Sequence, residues 1–280
     1  MYNRILLTLA LSMIIVSLEQ SNVSIGKLTI PFIQQEIQNA NEMQYQVINT
    51  SSQATVKTMS TVNDLPPYAE IEISKPKTVV LDAGHNYNET YKSSPDKYLE
   101  VTYNLQMVKL VKKHLETLDP TIQVIETNPD GTNTLRKDRS LVAKEYDADL
   151  LLSLHMNAMG TEWQTDFQGS LVIVDALAND AVVDLAHQFS QDYAQLTGIQ
   201  PVHSNAVEIR EYDTPNEISL LHYTSKLGIP AVLLEMGFMD NKEEAFFFRE
   251  EENQDQVAAS IAQMIIDNWE SITIAKGGNA

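Results

Sequence analysis

From residue 78 onward the chain alternates short apolar runs of strand length with longer segments of helical period, and this alternation narrows the fold more than any other feature. The runs at 78–81 (TVVL), 122–125 (IQVI), 149–155 (DLLLSLH), 169–174 (GSLVIV) and 230–236 (PAVLLEM) read as strands. Between the first two, 98–118 sets Leu105, Val108, Val111, Leu115 and Leu118 on one stripe, and Asp119-Pro120 stops it. Further helices are predicted at 135–146, at 180–196 with Gly198 closing it, and at 254–269. Strands that are apolar on both faces belong in a parallel sheet covered on both sides. The expected fold is therefore α/β with three layers, a mostly parallel central sheet carrying helices on both faces. Ligands in such sheets bind at the carboxyl ends of strands. Three of the predicted strands end in groups able to do chemistry: His85, His155 and Glu235.

Composition removes several alternatives. The chain has no cysteine, which excludes disulfides, thiolate metal sites and a cysteine nucleophile. Any metal must be held by histidine, carboxylate and water. Acidic residues outnumber basic ones 38 to 19, a formal charge of −19. Such a surface repels phosphate backbones, so no nucleic-acid partner is expected.

The N-terminus reads differently. Arg4 precedes an apolar run at 5–18 (ILLTLALSMIIVSL), shorter than the ~20 residues of a membrane-spanning helix. No small-x-small cleavage site follows it. Residues 1–21 are expected to be either a signal peptide cut at a weak site or an N-terminal membrane anchor, which sends the protein to the cell envelope or beyond. Residues 22–76 hold little periodicity and read as a largely unstructured spacer. A catalytic domain at 77–272 and a flexible tail at 273–280 complete the expected organisation.

Taken singly, the candidate residues have bland explanations. A loop histidine such as His85 is ordinarily solvated, and His155 at the end of an apolar strand is ordinarily a satisfied core residue. Glu100 at a helix start is favoured by the helix dipole and ordinarily faces water. Yet Glu100 shares a helix side with Asn104, Val111 and Leu118, the inward edge of the stripe. Glu235 lies inside AVLLEMGF, where a carboxylate is costly without a cation, a proton or a metal beside it; a buried salt bridge is the competing account. Together, two imidazoles and two carboxylates at one sheet edge match a catalytic zinc site, with three nitrogen or oxygen ligands and an open position for water. The remaining carboxylate supplies acid–base chemistry. There is no His-Glu-x-x-His, no Gly-x-Ser-x-Gly and no phosphate-binding Gly-rich loop. His114 and His187 read as surface or packing residues, and no spacing assigns His203 or His222.

Five segments in order carry a resemblance: VLDAGH at 80–85, Glu100-x-x-x-Asn104-Leu105, the stretch 139–150 opening with Arg139, SLHMNA at 153–158, and PAVLLEMGFMDN at 230–241. Over about residues 77 to 272 the chain resembles the catalytic domain of zinc-dependent N-acetylmuramoyl-L-alanine amidases of the type-3 family, which are bacterial peptidoglycan hydrolases. The resemblance implies one zinc ion per chain on His85, Glu100 and His155, with Glu235 as the catalytic glutamate. Asn86 and Tyr87 stand where the family has two glycines, and Met156 where it has alanine, so the cleft floor and rim are expected to be reshaped. No wall-binding repeats are appended, so targeting is expected from the N-terminus or from partners.

The expected function is hydrolysis of the amide between N-acetylmuramic acid and L-alanine of the peptidoglycan stem peptide, by zinc-activated water and with Glu235 moving the proton. A monomer is expected, and the sequence names no activating protein. Two rivals share these features: a zinc peptidase cutting within the stem, and a non-catalytic wall-binding or regulatory module. The intact quartet argues against the second.

Overall fold

Every predicted strand is present in a computed structural model of the chain, which describes residues 75–204, 207–211 and 219–277. They are β1 (Lys77–Ala83), β2 (Ile122–Glu126), β3 (Leu150–Asn157), β4 (Leu171–Asp175) and β6 (Ala231–Phe238); a short edge strand, β5 (Val207–Arg210), is additional. The predicted helices are α1 (Glu100–Leu118), α2 (Arg136–Glu145), α3 (Asp180–Thr197) and α6 (Glu251–Asp267). Three shorter ones were not anticipated: α4 (Leu220–Lys226), α5 (Lys242–Phe247) and α7 (Trp269–Gly277). The last corrects the expected tail at 273–280: helix continues to Gly277, and Ile272 and Ala275 on it are fully buried. The expected signal or anchor at 1–21, and the spacer up to residue 74, lie outside the described residues.

The six strands form one sheet in the order β2-β1-β3-β6-β4-β5. Strands β2, β1, β3 and β6 run parallel. Strand β4 lies antiparallel to β6 and parallel to β5, so the two strands at one end of the sheet run against the rest. The sheet is mostly parallel with helices on both faces, as expected.

Local chemistry explains the element ends. Asn179 caps α3 by accepting the Val182 N–H at 2.9 Å, and Gly198 closes that helix in the left-handed region at φ 80°. Helix α1 buries Val101, Leu105, Val108, Val111 and Leu115, but Leu118 is exposed, so its apolar stripe ends one turn early.

Alternation along the strands sorts side chains between two cores. Val79, Leu81 and Ala83 of β1, Leu150, Leu152 and Leu154 of β3, and Val232, Leu234 and Met236 of β6 pack in the larger core with residues of α1, α3 and α6. Val80, Leu151 and Ala231 enter a smaller core with Ala143 of α2 and Leu220 and Leu221 of α4. By the same alternation Asp82, Ser153, His155 and Glu235 face the side covered by α2 and α4. Those helices are short, and the carboxyl ends of β1, β3 and β6 are left bordering a cleft.

Candidate active site

Strand β1 delivers the first histidine. Its last residue, Ala83, leads through Gly84 to His85, whose backbone lies in the left-handed region at φ 66°. Gly84 is required by the neighbouring strand: a Cβ there would sit 2.2 Å from Cε1 of His155. Helix α1 delivers Glu100 at its first position, and β3 delivers His155. Glu100 faces inward with 2% exposure, which overturns the solvated alternative for a glutamate at a helix start. Its Oε2 lies 3.2 Å from His85 Nε2 and its Oε1 lies 3.0 Å from His155 Nδ1. The Met156 N–H donates to Oε1 at 3.2 Å, and Asn104 Nδ2 donates to Gly84 O at 3.1 Å, tying α1 to the end of β1. The two imidazole rings stand nearly perpendicular, their centroids 5.0 Å apart.

His85, Glu100 and His155 thus each offer a ligand atom, and the three atoms lie within 4.8 Å of one another. A carboxylate between two imidazole nitrogens is the donor set and spacing of a small divalent metal ion, and the residues fit one. The electrostatics agree. Burial opposes ionisation of Glu100, yet the hydrogen bond and charge of His155, with His85 beyond, hold its carboxyl below the usual range. Burial likewise works against a charged His155, but Glu100 raises it. Burial pushes the His85 imidazole down to about 4, against the pull of Glu100.

Glu235 lies beside this group. It is the register partner of His155 on the adjacent strand β6, so the two project from the same face of the sheet. Burial pushes its carboxyl up to about 7, with the nearby His155 opposing. Its Oε2 is buried with no hydrogen-bond partner among the described residues, while the residue as a whole is partly exposed. The buried salt bridge weighed against a functional reading is therefore not what holds it. The pairing of β3 with β6 shifts register between His155 and Asn157, an irregularity of the kind that re-aims side chains next to sites. A cavity of about 220 Å³ opens on the two histidines, lined by His85, Glu89, Arg136, His155, Ser219 and Leu221 among others.

Two supporting roles escaped the sequence reading. Arg139, 3% exposed, donates to Ala83 O, His85 O and Asn86 Oδ1, each at 2.7 Å, and to Asp82 Oδ1 at 3.1 Å. It clamps the loop that carries His85. Glu89, four residues after His85 in the same loop, lies 3.1 Å from His85 Nδ1 through Oε2. A loop has no periodicity to flag such a partner, and a buried arginine interrupts the apolar pattern of its helix. His222 pairs with Asp175 at 3.1 Å and His114 with Asp255 at 2.9 Å; neither joins the group.

Comparison with known proteins agrees with this geometry. Residues 79–267 match the N-acetylmuramoyl-L-alanine amidase family. A probable cell wall amidase, LytH, of Staphylococcus epidermidis is 29% identical over 177 residues, 60% of this chain and 50% of that protein. The chain spans about half the length of the LytH proteins it matches. An N-acetylmuramoyl-L-alanine amidase from Clostridium difficile 630 superposes with a TM-score of 0.60 at 25% identity, covering 70% of this chain and 98% of that one. The catalytic domain of the amidase CwlV from Bacillus (Paenibacillus) polymyxa var. colistinus gives 0.56 at 26% identity, covering 69% and 98%. With well over half of its length matched, the chain belongs to the N-acetylmuramoyl-L-alanine amidase family.

Proposed function

We propose that this protein is a zinc-dependent peptidoglycan amidase that hydrolyses the bond between N-acetylmuramic acid and the L-alanine of the stem peptide. One observation carries the reading: in a chain of this family, the ligand atoms of His85, Glu100 and His155 lie within 4.8 Å of one another, and Glu235 stands beside His155 on the same sheet face. His85, Glu100 and His155 would hold the metal. Bound there, a zinc ion supplies Lewis acidity to the scissile carbonyl and acidity to the attacking water.

The remaining work falls to the chain's own groups. Glu235 has an oxygen with no hydrogen-bond partner among the described residues, and it takes the proton of the attacking water. It then passes that proton to the nitrogen of the departing L-alanine. Its raised pKa suits both halves of the shuttle, since a group poised near neutrality both accepts and returns a proton readily. Arg139 and Gly84 keep the two histidines in place from behind, the first through backbone carbonyls and the second by leaving room for the His155 ring. The substrate places the protein's work in the cell envelope, and the export signal or anchor expected at residues 1–21 accords with that place.

Digestion of purified peptidoglycan with mass analysis of the products tests the reading. Peptides released with a free L-alanine amino terminus are the expected result. Shortened stems still attached to sugar would establish the peptidase instead, and no release by zinc-loaded protein would establish a binding module.

A further inference from the structure

We propose that Glu89 is the positioning residue for His85, fixing the imidazole so that Nδ1 carries the proton and Nε2 is presented to the metal. The inference rests on the metal centre proposed above and adds to it a residue that no part of that reading assigns.

The geometry is local and dense. Glu89 Oε2 lies 3.1 Å from His85 Nδ1 and accepts the Asn86 N–H at 3.0 Å. The Glu89 N–H in turn donates to Asn86 O at 3.0 Å, which folds the loop back and fixes where the carboxylate stands. Its second oxygen lies 3.4 Å from the Tyr91 hydroxyl and 3.5 Å from Arg136 Nη2. Only 17% of the Glu89 side chain is exposed. In a chain with a net charge of −19, a carboxylate so largely withdrawn from water needs donors, and His85 is one of them.

The chemistry follows from what a carboxylate can do. An ionised carboxylate only accepts, so the nitrogen facing it must be the one bearing hydrogen. That leaves the lone pair of Nε2 pointing at Glu100 Oε2, 3.2 Å away. Two acceptors at that separation with no proton between them are reconciled by a cation. Free imidazole in water favours the opposite tautomer, with hydrogen on Nε2, so the loop must supply the preference. A histidine ligand whose far nitrogen donates to a carboxylate is oriented and made more basic by it. His155 has no need of such help, because the nitrogen it turns to Glu100 is Nδ1 and its ring is wedged against Gly84.

The backbone of His85 is held by other groups. Its carbonyl accepts from Arg139 Nη2 at 2.7 Å and from Asn128 Nδ2 at 3.1 Å. Loss of the Glu89 side chain should therefore free the ring without unfolding the loop, which makes the role testable.

The full chain and its Glu89→Ala and Glu89→Gln variants are titrated with zinc against a fluorescent chelator. The His85 ring of the metal-free proteins is observed by long-range proton–nitrogen NMR. Glu89→Ala should weaken zinc about 10- to 100-fold and move His85 towards the Nε2–H tautomer. Glu89→Gln keeps an accepting oxygen and should retain the Nδ1–H tautomer and most of the affinity. In a His85→Ala background, Glu89→Ala should cause no further loss. Zinc affinity within twofold of wild type and an unchanged tautomer in Glu89→Ala would overturn the proposal. So would an equal additional loss in the His85→Ala background, which would show Glu89 acting other than through His85. Wild-type protein that binds no zinc would refute the metal centre and this inference together. Zinc-loaded wild type without amidase activity would refute the proposed reaction alone.

Discussion

Replacing Arg139 by alanine should cost the fold a large part of its stability, and the size of the loss can be worked from the contacts of one buried pair. Arg139 and Asp82 are 3% and 1% exposed. The guanidinium meets Asp82 Oδ1 at 3.1 Å and spends its other hydrogens on Ala83 O, His85 O and Asn86 Oδ1, each at 2.7 Å, and on Thr134 O at 3.3 Å. Truncation leaves Asp82 an anion in the core with only the hydroxyls of Ser153 and Thr127 as donors. Breaking a buried pair from one side costs about 3–5 kcal/mol, against a total of roughly 5–15 kcal/mol for a domain. With a urea slope of about 2 kcal/mol per molar, the unfolding midpoint should fall by ~1.5–2.5 M. The assay is urea unfolding of the metal-free protein at neutral pH, followed by circular dichroism. The double variant Asp82→Asn with Arg139→Ala supplies the control, because removing the stranded charge should recover part of the loss. The reasoning is refuted by a midpoint shift below about 0.5 M, roughly 1 kcal/mol on this slope, or by a double variant no more stable than Arg139→Ala.

Three further outcomes are expected. Glu235→Gln should keep its zinc while peptidoglycan turnover falls by ~10²–10⁴-fold, both measured on one preparation; loss of zinc would instead make Glu235 a ligand. Gly84→Ala forces a Cβ to 2.2 Å from the His155 ring, so the purified variant should be folded by circular dichroism but depleted of zinc by elemental analysis, and full zinc occupancy would contradict the packing argument. Hydrogen bonds from Arg249 hold the Asp96 carboxyl well below the usual carboxylate range. A depressed folded-state pKa stabilises above the unfolded value, so wild type should exceed Asp96→Asn in urea midpoint above about pH 4, with the gap shrinking as pH falls below that towards the folded-state pKa; a gap undiminished at pH 2 would show that the ion pair is not its source.

Much of the frame was legible because burial on both faces writes short continuous apolar runs into the strands and period 3.6 into the helices. Strands such as LLLSLH and AVLLEM, and the stripe from Leu105 to Leu115, declare themselves for that reason. That His85 and His155 come together follows from one topological rule, that strand ends in a parallel sheet gather at one edge, whereas Glu100 was reached through the inward side of its helix. What could not be read has equally physical causes. Helix α7 contains Ile272, Thr273 and Ile274, β-branched residues of low helix propensity. It forms because Ile272 and Ala275 are buried and because Lys276 reaches Asp147 at 2.9 Å, tertiary terms that no local pattern contains. Strand β5 has only four residues and lies at the sheet edge. Arg139 and Glu89 belong to the same class as α7: each is defined by what it touches across the fold, so their types and positions alone gave no sign of their roles.

The departures from the family pattern around His85 also change meaning once the contacts are known. The sequence led us to expect that Asn86 and Tyr87, in place of two glycines, would reshape the cleft floor and rim. Asn86 does line the cavity, but its Oδ1 is committed to the Thr134 N–H at 3.1 Å and to Arg139 at 2.7 Å. The Tyr87 N–H bonds Gly131 O at 3.0 Å, and its ring covers Gly131 so closely that a Cβ there would lie 2.6 Å from Tyr87 Cε2. Both side chains tie the loop to the segment between β2 and the start of α2. Met156, in place of the family's alanine, is buried in the larger core and reaches the site only through its N–H on Glu100. The left-handed backbone of the loop falls on His85 itself, a conformation a residue with a Cβ keeps only when its surroundings over-determine it. Here Arg139 and Asn128 hold its carbonyl, and Asn86 links the next residue to α2. Where glycines would let this loop adopt its path by their freedom, this chain holds the path with side-chain hydrogen bonds. The first histidine is therefore fixed by the same network that buries Arg139, and the stability of that network and the geometry of the proposed metal centre should be lost together.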